Sequence, residues 1–74
     1  GVDEVSKKQV RAIKSLKLKL NTFYSFAELK AMFKEVYVKF DIKVAAKATD
    51  AQTVFNVKNT TRNGVRGFLI LSNK

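Results

Sequence analysis

The stretch Ser25–Phe40, SFAELKAMFKEVYVKF, decides how the rest of the chain is read. Its apolar residues are Leu29, Met32, Phe33, Val36, Tyr37 and Phe40. That spacing of i, i+3, i+4, i+7, i+8 and i+11 marks one face of an α-helix. Ser25 with Glu28 three residues later is a capping box, which satisfies orphan backbone N–H groups of the first turn. Tyr24 before the cap and Leu29 after it have the spacing of a hydrophobic staple. Glu35 and Lys39 add an i,i+4 pair on the outer side, worth only a few tenths of a kcal/mol. The aromatics Phe33 and Tyr37 on the apolar face are read as core.

Length and residue content narrow the function. At 74 residues the chain is one small domain, 1–74, and a leading Gly1 in place of Met fits a domain cut from a larger protein. Without Cys or His, and with only six carboxylates spread along it, the chain offers no disulfide, no zinc site and no His-based acid–base pair. The expectation is a non-catalytic module with no cofactor, no metal and no small-molecule substrate. No apolar run approaches the ~18 residues of a membrane span and nothing reads as a signal peptide, so an intracellular, cytoplasmic setting is expected.

The net charge of +9 is unevenly placed. Residues 1–20 carry six Lys or Arg against Asp3 and Glu4, a balance of +4. Residues 21–42 balance at zero, and residues 43–74 carry six cations against Asp50 alone, a balance of +5. Clustered positive charge is the footprint of a polyanion binder, since such segregation costs self-repulsion that an anion relieves. The excess from both ends is expected to gather on one side of the molecule.

Before the core helix, VSKKQVRAIKSLKLKL reads as a basic amphipathic helix from Val5 to Leu18. Val10, Ile13 and Leu16 form its narrow apolar stripe, with Leu20 if the helix runs on, and the alternating LKLKL tail is also compatible with extended chain. Lys7, Lys8, Arg11 and Lys14 cover the remainder. A membrane-surface role is disfavoured because the stripe has no Trp or Phe and is short enough to be consumed by packing. Asn21–Tyr24 is a connector able to supply one short strand, with Phe23 and Tyr24 expected to tuck under the core helix.

After the core helix, VAAKATDAQTVF (44–55) repeats the helical pattern, with Val44, Ala48, Ala51 and Phe55 on one face. The reading starts this helix near Val44 or Ala45, although Thr49 with Gln52 is a second possible cap and a later start. Ala46, Thr49, Asp50 and Thr53 then form a small, polar outer face. The remainder is β: NVKNT and VRGFLIL flank Asn63-Gly64, the strongest short hairpin signal. Val57, with either Phe68 and Ile70 or Leu69 and Leu71, is expected to cover the helices. Gly67 in mid-strand marks a bulge or a close backbone approach.

Helix, core helix, short small-faced helix and basic hairpin together give an α+β fold, a winged helix-turn-helix with three helices and a C-terminal β-hairpin wing. In that geometry helix 44–55 enters the DNA major groove. Ala46, Thr49 and Thr53 suit base edges and thymine methyls, Gln52 suits adenine, and Lys43 and Lys47 meet the flanking phosphates. Arg62 at the wing tip suits a minor groove, and Lys58 and Arg66 suit backbone. Lys7, Lys8 and Arg11 extend the basic surface along the first helix. Thr and Ala on such a face are more often plain solvent-exposed filler.

The run Phe26–Leu71 resembles the C-terminal winged-helix domain of replicative primase–helicases and replication initiators from phages, plasmids and mobile islands. The residues that carry the likeness are Lys47-Ala48-Thr49-Asp50, Phe55, Val57-Lys58 and Gly67-Phe68, in that order. The chain departs from the pattern at Val54, where an aromatic is common, and in having fewer basic residues at the wing tip. The resemblance implies recognition of double-stranded DNA at the element's own replication origin, and attachment to a hexameric helicase whose other domains and protomers are its partners. The alternatives are low-specificity binding of single-stranded DNA or RNA, with Phe23, Tyr24, Phe55 and Phe68 as the available stacking aromatics, and docking of an acidic protein.

Overall fold

The structure is a computed structural model that describes residues 4–74; Gly1 and Asp3, counted above, lie outside it. The elements run α1 (Glu4–Ser15), β1 (Thr22–Ser25), α2 (Phe26–Lys39), a 3-10 helix (Ala48–Thr53), β2 (Phe55–Arg62) and β3 (Val65–Asn73). The fold is α+β, with three helices and one three-stranded antiparallel sheet, in the order β1-β3-β2, among the described residues. No helix among the described residues is long and apolar enough to cross a membrane.

Helix α2 forms as its pattern dictates. Ser25 is its N-cap, with Oγ accepting from the Glu28 N–H at 3.1 Å. Ser25 Oγ in turn donates to Glu28 Oε1 at 3.2 Å, so the box closes between side chains. Leu29, Phe33, Val36 and Tyr37 are buried, with Met32 and Phe40 packed against them. The Phe33 and Tyr37 rings stack at 6.5 Å. Ala12 and Ile13 of α1 complete this layer, together with Phe68 and Ile70 of β3. Phe26 meets Phe68 edge-on at 4.9 Å, which fixes the sheet face that α2 covers.

Helix α1 stops at Ser15, short of the expected Leu18. Leu16 and Lys17 N–H groups fall back on Ile13 and Lys14 carbonyls, and Lys17 then turns to a φ of 52°. That left-handed residue ends the helix in the manner of a C-terminal cap. Leu18–Leu20 follow as irregular chain, and Leu20 is exposed. The Lys19 N–H donates to the Tyr24 hydroxyl at 3.0 Å, tying this connector to β1.

The hairpin forms where Asn63-Gly64 marks it. Both residues have positive φ, 50° and 79°, as a two-residue type I′ turn demands. Phe68 and Ile70 are the core-facing pair of β3, while Leu71 is exposed. Gly67 is a close approach and not the bulge. A Cβ there would strike the Tyr24 carbonyl oxygen and lie 2.7 Å from Ser25 Cα and 2.8 Å from Phe23 Cζ. The irregularity lies elsewhere: Asn56 faces Ser72 and Val57 faces Ile70, leaving Leu71 as an extra residue.

The third helix differs most from expectation. It is a 3-10 helix of six residues starting at Ala48, not an α-helix from Val44. Asp41 takes a φ of 56° and the Ile42 N–H donates to the Tyr37 carbonyl at 2.8 Å, so the chain leaves α2 in a tight reversal. Residues 43–47 run on without regular structure, ending at Lys47 in an extended conformation. Val44, expected in the core, is 43% exposed, whereas Ala46, expected on the outer face, packs against the core.

Candidate nucleic-acid interface

Three basic surfaces are built from separate elements. On the 3-10 helix, Asp50 sets the geometry. Its Oδ2 accepts the Lys47 N–H at 3.0 Å, which satisfies one orphan donor of the first turn, and the Tyr37 hydroxyl at 2.7 Å. Burial, and then the bond to the Asp50 carboxylate, push the Tyr37 hydroxyl well above the ordinary tyrosine range. Ala51 is fully buried, so the opposite side of this helix faces outward. Thr49, Gln52 and Thr53 are all exposed there, as are Lys43 and Lys47 just before it. Thr49 and Gln52 are three residues apart and eclipse each other in a 3-10 helix. The Thr53 hydroxyl donates to the Asp50 carbonyl at 2.7 Å and is partly committed to its own backbone.

On the hairpin, every residue from Thr61 to Arg66 is exposed. Register decides where the cations go. Lys58 stands opposite Leu69 and Arg62 opposite Val65, whereas Thr61 stands opposite Arg66. Directly opposed residues share a face and neighbours along a strand alternate. Lys58 and Arg62 therefore leave on the face turned away from Phe68, Ile70 and the helices, and Arg66 on the helical side. The positive charge is thus divided between two faces of the hairpin and does not gather on one. The Arg62 guanidinium lies 5.4 Å from the Phe23 ring centroid, within cation–π range. Phe23 can occupy that position because Gly67 beneath it has no side chain.

On α1, Lys7, Lys8, Arg11 and Lys14 are exposed; Lys7, Arg11 and Lys14 follow one another on the side away from Ala12 and Ile13, and Lys8 stands on the flank. Among the described residues the single ion pair is Lys39–Glu35, at 3.8 Å and well exposed, so these cations are paired with no described carboxylate. Compared with known protein families, curated proteins and solved structures, the chain matches none. Among the described residues no three His, Cys, Asp or Glu come together as metal ligands.

Sequence reasoning missed the Tyr37–Asp50 bond and the Arg62–Phe23 contact. Asp50 three residues after Lys47 was a local signal for the helix start. The Arg62 contact depends on strand register and had no local signal.

Proposed function

We propose that this chain is a winged helix-turn-helix module that binds double-stranded DNA. The observation that carries the reading is the element order α1-β1-α2-helix-β2-β3 with strand order β1-β3-β2 and an exposed basic hairpin. In the proposed complex Thr49, Gln52 and Thr53 face base edges, Lys43 and Lys47 meet phosphates beside them, and Arg62 and Arg66 straddle the backbone from the two faces of the hairpin. The net charge of +9 supports a polyanionic partner. The resemblance to replication initiators supports the finer reading, an origin site of a phage or mobile element bound on behalf of a larger helicase.

The outer sheet face favours a second reading. Half-buried Phe23 and Leu69, flanked by Lys58 and Arg62, combine an aromatic with cations as single-strand binders do. An amide-shift titration with duplex DNA, single-stranded DNA and RNA separates the two. Duplex binding moves residues 47–53 and 61–66 together and prefers its site over random duplex by about 10³ or more. Shifts centred on Phe23, Lys58 and Leu69 with single strands would overturn the duplex reading.

A further inference from the structure

We propose that the groove between α2 and the segment 42–46 is a docking site for an acidic amphipathic helix of a partner protein. The groove has a volume of about 310 Å³. Val38, Ile42, Val44 and Ala46 give it an apolar floor, and Lys30 and Lys34 stand one helical turn apart at its rim. No carboxylate lines it, and neither lysine is ion-paired within the described chain. Val38 is 76% exposed and Val44 43% exposed, large apolar side chains left open in a molecule with a small core. A second depression shares Val44 and Ala45 and reaches Val5 of α1, which is 42% exposed; it is also lined by Lys47 and by Asp50, whose Oδ2 accepts from the Tyr37 hydroxyl and the Lys47 N–H.

The occupant is identified by what lines the groove. Unpaired lysines select an anionic partner, and aliphatic side chains select one that also brings apolar anchors. A nucleic acid meets only half of this, because the groove offers no open aromatic on which a base could stack. A helix with leucines at i, i+3, i+4 and i+7 and acidic residues elsewhere meets both. The site is also preformed. Tyr37 holds both ends of the segment, Ile42 through its carbonyl and Lys47 through Asp50, so little ordering cost is left to binding.

The test uses the full chain and two synthetic peptides, one with leucines in that spacing and glutamates between them, the other with lysines in place of the glutamates. The glutamate peptide is expected to shift the amides of Val38, Val44 and Ala45, and the lysine peptide is expected to leave them unmoved. Val38→Asp and Lys34→Glu should each weaken the glutamate peptide by about tenfold while leaving duplex DNA binding unchanged, which keeps this proposal separable from the preceding one. No binding, equal binding of both peptides, or shifts elsewhere on the surface would overturn it. So would concentration-dependent shifts of the same amides without peptide, which would mean a second copy of the chain, or a stronger response there to an oligonucleotide.

Discussion

The Tyr37 hydroxyl donates to Asp50 Oδ2 at 2.7 Å, across thirteen residues of sequence. Tyr37 is 2% exposed and its ring stacks on Phe33, so the donor is rigidly placed in the core. Asp50 then accepts the Lys47 N–H, and the start of the 3-10 helix is fixed by a side chain of α2. Gln9 of α1 reaches the same hydroxyl at 3.4 Å. One phenol thus joins three helices.

Tyr37→Phe should cost about 1–3 kcal/mol, because it removes a hydrogen bond to a carboxylate and leaves the ring packing intact. It should also change the alkaline limb of stability. The folded state holds the Tyr37 proton where an unfolded tyrosine, with a pKa of about 10, has lost it. The folded state then binds more protons, so this contribution is complete below about pH 10 and declines above it. Urea unfolding at rising pH should show a steeper loss above about pH 10 in the parent than in Tyr37→Phe. Equal slopes would mean the hydroxyl is not held in its protonated form.

Phe33 is fully buried at the centre of α2. Phe33→Ala should cost about 3–5 kcal/mol, comparable with the whole stability of a domain this small. Loss of cooperative melting by circular dichroism is the expected result. A folded variant melting near the parent temperature would show that the core does not depend on this ring.

Gly67→Ala should destabilise by about 1–3 kcal/mol. The new Cβ meets the Tyr24 carbonyl and Ser25 Cα, backbone atoms that cannot rotate aside, as well as the Phe23 ring. Hydrogen exchange should then accelerate first in the β1–β3 ladder. An unchanged exchange pattern would contradict the close approach.

Arg62→Ala bears on the proposed duplex binding. It should weaken binding to any duplex and lower the slope of log K against log salt by about one. Binding to random duplex that is indifferent to the change would remove this side chain from the phosphate contacts.

Features written in neighbouring residues were legible in the sequence. Ser25 with Glu28 located the start of α2, and Asn63-Gly64 located the turn of the hairpin, because caps and tight turns are decided within four residues. The start of the third helix was expected too early, although Asp50 three residues after Lys47 marks it locally. The 44–55 pattern is compatible with an α-helix, and what overrides it is the Ile42–Tyr37 and Asp50–Tyr37 bonding, set by packing across the chain. Thr49, Gln52 and Thr53 are exposed but Ala46, expected beside them, packs against the core, and the division of the cations between faces was not foreseen. Lys58 and Arg62 part company with Arg66 through the pairing of β2 with β3, and register is a property of two strands together.

Ser25 belongs to two elements at once, closing β1 against Gly67 of β3 and capping α2 in the next peptide unit. No spacer separates the sheet from the helix at this weld. One residue therefore sets both the end of the β1–β3 ladder and the start of α2, while the hairpin beyond Gly67 rests on the β2–β3 pairing alone.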